Sequence, residues 1–236
     1  LNNMTSALSV SYNTPEYLER LLTSFRKFYD IPYLVVDGSD RENYEKIKDF
    51  DKKFNVKLIH FDYNIHHGPG MTWGVNYVKD YDRILLVDSD MIIHSNGWLK
   101  MMEEELRDDS YGIGDIQKEY LTSVVRREKF IPDSGRRKNR HVKLKTVKEK
   151  IYIEYLHPAF ALVNREVMLK YPMPVKGGAP LLPAMAKIWK DKKTDILQRA
   201  QWLTDDLWEH KCLYVQHNHN HEGMGTVKKT GGYNLE

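Results

Sequence analysis

Within the first ninety residues, four short β-rich runs alternate with stretches of helical spacing, and this alternation leaves few folds open. The runs are 7–12 (ALSVSY), 33–36 (YLVV), 56–61 (VKLIHF) and 83–87 (RILLV). After the first run comes Asn13-Thr14-Pro15, where Thr14 reads as an N-cap, Pro15 as the first helical residue and Glu16 as a favourable charge in the first turn. Leu18, Leu21, Leu22, Phe25 and Phe28 then recur at helical spacing. Further helices are expected over 42–54, over 71–79 behind the turn His66-His67-Gly68-Pro69-Gly70, and over 97–106. The order β-α-β-α-β-α-β predicts an α/β fold with a mostly parallel central sheet flanked by helices. Right-handed crossovers align the carboxyl ends of its strands along one edge, where ligands bind in open α/β sheets.

The second half has no such rhythm. Strands are expected at 111–115, 152–156, 160–163 and 213–217, a helix at 196–210, and a loop around Gly177-Gly178 and Pro180/Pro183. Between Arg126 and Lys150, eleven Lys and Arg face only Glu128, Asp133 and Glu149. This stretch has no clean apolar period and lacks the aromatic interleaving of a single-strand binder, so no specific nucleic acid is expected. It reads as a solvated excursion, with contact to a membrane surface or an anionic acceptor as its functional reading. The 236 residues, 41% hydrophobic and 29% charged, are enough for one substantial core. A lone cysteine, Cys212, allows no intramolecular disulfide. No apolar run approaches the ~20 residues that span a bilayer, and the N-terminal stretch has neither the basic start nor the apolar run of a secretory signal. A cytoplasmic protein is expected, with association at a membrane surface left open.

The fourth run ends in Asp88-Ser89-Asp90. In an extended chain alternate side chains share a side, so both carboxylates would face one cleft while Ser89 faces away. Like charges so close need a positive partner, and a divalent cation with oxygen ligands supplies one. The bland alternative is a solvated turn. Other strand ends carry Ser11-Tyr12-Asn13-Thr14, Asp37-Gly38-Ser39-Asp40, and Asn64 with the glycine turn. These are turn residues in their own right, but the topology gathers them on one edge. Farther on, His217, His219 and His221 alternate, as ligands on one face of a strand would.

SVSYNTPEYLERLLTSF, VVDGSD, the stretch from Asn64 through Gly68 and Gly70 to Asn76, and LLVDSD together resemble inverting glycosyltransferases of the GT-A fold, family 2 type. The resemblance implies one domain over 1–236, with a nucleotide-binding half (1–110) and an acceptor-binding, catalytic half (111–236). It implies a nucleotide diphosphate sugar donor, UDP- or GDP-linked, and a hydroxyl of a glycan or other acceptor. Ser11, Tyr12 and Asp37 would hold the nucleobase, with Asn13 and Ser89 beside them and Asn64, Gly68 and Gly70 along the donor. Asp88 would lie near the ribose or the metal shell, and Asp90 would ligate Mn2+ or Mg2+ directly. His219, ahead of His217, would join that metal. Asp206, or its neighbour Asp205, would be the base that takes the acceptor proton. The chain departs from the family in having one acidic residue fewer before Gly38, and in the bulkier Met71, Thr72 and Trp73. Two other classes fit the same edge, a sugar-phosphate nucleotidyltransferase and a non-catalytic nucleotide- or glycan-binding module. The first is disfavoured because Ser11 to Pro15 contains neither Gly nor Lys.

Overall fold

A computed structural model describes residues 4–130, 142–174, 179–203 and 214–217, and gives the backbone alone for 120–130 and 142–150. Strand β1 (Thr5–Ser11) leads into helix α1 (Pro15–Arg26), which buries Leu18, Leu21, Leu22 and Phe25. Thr14 does not cap α1 with its side chain. Its hydroxyl instead faces those of Ser11 and Ser89, at 3.5 and 3.4 Å. In the last turn, the Arg26 guanidinium donates to the carbonyls of Tyr29, Ile31, Phe54 and Asn55, tying the helix end to the following segments.

After β2 (Tyr33–Asp37), the single helix expected over 42–54 is two short ones, α2 (Arg41–Ile47) and α3 (Phe50–Phe54). The Asp40 carboxylate caps α2 by accepting from the Asn43 N–H, and Asn55 ends α3 in the left-handed region at φ 51°. Strand β3 (Lys57–His60) precedes α4 (His67–Tyr77), which starts earlier than its apolar pattern suggested. Gly70 and Gly74 let α4 approach β1 closely. A Cβ on Gly70 would lie 2.8 Å from Val10 Cγ1, and one on Gly74 would lie 2.4 Å from Leu8 Cδ1. Strand β4 (Arg83–Val87), the short β5 (Met91–Ile93) and α5 (Trp98–Glu105) complete the first half.

Strands β3, β2, β1 and β4 lie side by side and parallel. Strands β2 and β4 read as near-continuous apolar runs and are buried throughout because helices cover both faces, whereas β3 at the edge is only partly covered. On one face Ala7, Val35, Leu85 and Val87 pack with α1, α3 and α5, around Phe25 and Trp98. On the other, Leu8, Leu34, Val36, Ile84 and Leu86 pack with Met71 and Val75 of α4.

The same sheet continues antiparallel. Strand β6 (Gly112–Phe130) pairs with β7 (Val142–Asn164), and β7 pairs along 160–164 with β4. The two strands expected at 152–156 and 160–163 are therefore one, and part of the stretch expected as an irregular excursion is β-ribbon. After α6 (Arg165–Met168) comes α7 (Leu182–Lys190), where a Pro-containing loop was expected. Pro183 falls in its first turn, where a missing N–H costs nothing. The helix expected from Ile196 is overturned over its described part. A 3-10 turn (Thr194–Ile196) runs into β8 (Leu197–Arg199), whose backbone pairs with Gly112–Gly114 of β6. Strand β9 (Val215–His217) pairs antiparallel with β5 in a separate small sheet. No described helix is long and apolar enough to cross a membrane.

Candidate active site

The two carboxylates after β4 do not reach one cleft by strand alternation. The chain turns there, with the Met91 N–H donating to the Asp88 carbonyl at 3.1 Å. The turn is anchored by the Asp88 N–H, which donates to the Ala159 carbonyl of β7 at 2.9 Å. Strand β5 then leaves the turn, and its pairing with β9 sets Met91 opposite His217. Further along the pair, the His94 N–H donates to the Tyr214 carbonyl and the His94 ring meets Gln216 Oε1 at 3.1 Å. This register brings the imidazole of His217 to the acidic turn. His217 Nε2 lies 3.1 Å from Asp90 Oδ1 and 3.9 Å from Asp88 Oδ2. One ligand atom from each of Asp88, Asp90 and His217 fits within a 4.8 Å group. Asp90 and His217 are buried, and Asp88 is partly open.

Burial opposes protonation of His217, but its hydrogen bond to Asp90 and the charges of Asp90, Asp88 and Asp115 prevail and lift its pKa above the ordinary imidazole value. The imidazole thus stands in a strongly negative field that a cation would relieve. Sequence reasoning missed three neighbours. His67, the first residue of α4, places Nε2 3.3 Å from Asp88 Oδ1, whereas His217 approaches the other oxygen, Oδ2. Asp115, in the bulge of β6, is fully buried and accepts from Gln117 Nε2 at 2.6 Å. His157 of β7 lies with its ring centroid 6.4 Å from that of His217. His67 had a signal, since it stands inside the glycine turn already singled out. Asp115 and His157 had none, because a long-range pairing brings them in.

The residues expected along the donor meet at the ends of β1, β2 and β3. The Gly38 N–H donates to the Ser11 carbonyl, and Asn13, at φ 53°, donates from its N–H to Ser39 Oγ and exchanges hydrogen bonds with Asp40. Asp37 has 0% exposure. Its carboxylate accepts from the Ser39 N–H and Oγ–H, at 3.1 and 2.7 Å, and meets His60 Nδ1 at 2.8 Å. His60 in turn stacks on Tyr44 with centroids 3.8 Å apart. The more accessible group at this corner is therefore His60, oriented by Asp37. Asn64 accepts from the His66 N–H in a tight turn. A Cβ on Gly38 would lie 2.8 Å from both Ile65 N and Tyr63 O, so this glycine lets the turn close on the end of β2. Gly68 and Gly70 are buried in α4, and Tyr12 is half-buried at the edge. Ser89 is buried with its hydroxyl toward Thr14 rather than toward the carboxylate–imidazole group. Asp205, Asp206 and His219 lie outside the described residues.

A mostly parallel sheet whose fourth strand runs into an Asp-x-Asp turn at the ligand edge defines the GT-A class of nucleotide-diphospho-sugar transferases. Within that class, the model of glycosyl transferase family 2 matches residues 6–171, and the chain belongs to this family of glycosyltransferases. Among solved structures, that of S. aureus TarS is similar at a TM-score of 0.52 and 16% identity, covering 91% of this chain and 36% of that one. S. aureus TarS 1-349 gives 0.49 and 15%, covering 91% and 60%. GalNAc-T7 with UDP, GalNAc and Mn2+ gives 0.36 and 20%, covering 39% and 19%. The chain thus spans 36% of the TarS chain and 60% of its shorter form. No curated protein sequence matches it.

Proposed function

We propose that the chain transfers a sugar from a nucleotide diphosphate sugar, UDP- or GDP-linked, to a hydroxyl of a glycan or other acceptor, with inversion at the anomeric carbon and dependence on a divalent cation. The observation that carries this reading is the convergence of Asp88, Asp90 and His217 at the carboxyl edge of the parallel strands.

The donor set suits a cation. Adjacent oxygen or nitrogen ligands of an octahedral ion bound at ~2.1 Å stand about 3 Å apart, and His217 Nε2 is 3.1 Å from Asp90 and 3.9 Å from Asp88. Two carboxylates with an imidazole favour Mn2+ over Mg2+, which prefers an all-oxygen shell. Asp88, Asp90 and His217 would hold the ion, with His219 as a further candidate. A bound divalent cation supplies Lewis-acid neutralisation of the departing diphosphate. On the donor side, Ser11, Tyr12, Asn13, Asp37, Asn64, Gly68, Gly70 and Ser89 line or support the nucleotide face, with His60 held by Asp37. On the acceptor side, Asp206 or Asp205 takes the proton of the attacking hydroxyl in a single displacement. In this scheme residues 1–110 bind the donor, 111–236 bind the acceptor, and the two halves form one domain. The stretch between Arg126 and Lys150 meets an anionic acceptor or a membrane surface.

Calorimetry with UDP and GDP, with and without Mn2+, tests the reading, followed by turnover assays. Asp90→Ala is expected to abolish metal-dependent nucleotide binding. Asp206→Asn is expected to keep binding and lose turnover. The released product should be a nucleoside diphosphate, whereas pyrophosphate would indicate a nucleotidyltransferase. Metal-dependent binding that survives Asp90→Ala would overturn the proposal.

A further inference from the structure

The ribbon of β6 and β7 carries a charge that the rest of the protein does not. Beyond the irregularity between Gly114 and Ile116, its rungs run from Ile116 opposite Leu156 to Phe130 opposite Val142. The part past the rung of Thr122 with Lys150 is about 26 Å long at ~3.3 Å per residue. No other described strand pairs with either of its edges there. Segments 126–130 and 142–150 hold seven basic and two acidic residues, yet the whole chain is only +3, so the remainder is net negative.

Register makes the imbalance specific. Arg127 stands opposite Lys145, and Lys129 opposite Lys143. The two rungs are two residues apart and fall on the same face of the ribbon. Like charges directly opposite each other destabilise an antiparallel pair, and a two-stranded ribbon is marginal on its own in water. Edge pairing with a second copy would add to the repulsion rather than relieve it. An anionic partner compensates all four cations at once.

The root of the ribbon lies at the candidate active site. Asp115 occupies the bulge, and His157 sits beside His217. A linear molecule lying along the ribbon is therefore led to the carboxylate–imidazole group, whereas a flat anionic surface is not. We propose that the ribbon is a docking rail for a linear polyanionic acceptor, held by Arg127, Lys129, Lys143 and Lys145. This rests on the glycosyltransferase reading of the site and adds the chemical class of its acceptor.

The test uses the whole chain and three probes, long-chain inorganic polyphosphate, polygalacturonate and phosphatidylglycerol vesicles, with binding measured over a series of salt concentrations. The wild type is expected to bind at least one of the two polymers, and which of them binds separates phosphate from carboxylate recognition. The variant Arg127→Gln/Lys129→Gln/Lys143→Gln/Lys145→Gln should bind at least about tenfold more weakly, and the slope of log K against log salt should flatten by roughly three. The charge-keeping exchange Arg127→Lys/Lys129→Arg/Lys143→Arg/Lys145→Arg should restore binding. Mn2+-dependent nucleotide binding should be unchanged in both variants. Failure of nucleotide binding in the wild type would instead indict the reading of the active site, and the polymer measurements would still decide the rail. Binding to vesicles but to neither polymer, no binding at all, or equal binding by wild type and the glutamine variant would overturn the proposal.

Discussion

The parallel strands β3-β2-β1-β4 and the long antiparallel pair β7-β6, with β8 added parallel to β6, belong to one sheet but are held in different ways. The parallel strands have 4 to 7 residues, and helices pack on both of their faces. Strands β6 and β7 have 19 and 23 residues and run well past that cover, paired beyond it, among the described strands, only with each other. The first region is a largely buried platform carrying the acidic turn and the loops proposed to bind the donor. The second brings Asp115 and His157 against that platform from one direction, while β9 brings His217 from another. The candidate chemistry thus sits on a seam. In the proposed scheme the packed half sets positions, and the extended half decides what reaches them.

The largest test of that division is at Trp98, which has 0% exposure and packs its ring on Phe25 and Tyr29 of the platform and on Phe160 of β7. Trp98→Ala is expected to cost about 3–5 kcal/mol, read by chemical denaturation as one transition shifted as a whole. A shift in only one of two resolved transitions would mean that the regions fold separately. Next is Gly38→Ala, whose methyl group would meet backbone atoms of Ile65 and Tyr63 that cannot swing away. About 1–3 kcal/mol of destabilisation is expected, together with weaker nucleotide binding, since the displaced turn is proposed to lie on the donor side. Unchanged nucleotide affinity would detach that turn from the donor.

His67→Ala sharpens the comparison without breaking the fold. His67 approaches Asp88 Oδ1 while His217 approaches Oδ2, and the His67 side chain is 30% exposed. Mn2+ affinity should fall about 10–100-fold with little change in thermal stability, and His67→Gln should restore part of it. Equal Mn2+ affinity in His67→Ala and the wild type would show that the platform alone orients Asp88. The smallest effect is at Asp40. The Asn43 N–H holds its carboxyl below the usual carboxylate range, with slight desolvation opposing and the amides of Asn43 and Asn13 and the charge of Lys46 assisting. A depressed pKa contributes stability above the ordinary carboxylate range and loses it as pH falls through the lowered value. Asp40→Asn should therefore lower the melting temperature slightly at neutral pH, leave it almost unchanged in acid, and so flatten the acid limb of the profile.

The platform was legible because its signals are local. Leu18, Leu21, Leu22 and Phe25 share one helical face, and β2 and β4 are compact apolar runs. The break between α2 and α3 at Lys48-Asp49 was not legible, since the apolar pattern continues across it from Ile47 to Phe50. In the second half, partners far away in sequence decide. Residues 197–199 follow a 3-10 turn but form a strand because β6 offers them an edge to pair with. At the site, Asp88 and Asp90 stood out as a pair, but a turn rather than strand alternation brings them together. Alternation marked His217, His219 and His221 alike, and it is the pairing of Met91 with His217 that sets His217 against Asp90.

The pairing of β5 with β9 also has a temporal consequence. Asp90 and His217 are 127 residues apart in the chain. At about 5–20 residues per second, a ribosome would display the aspartates for on the order of ten seconds before the imidazole emerged. A nascent chain would spend that interval as a poor chelator. Tight manganese capture is then expected only from chains extended past His217, and arrested chains of graded length assayed for bound ion would show whether capture begins there.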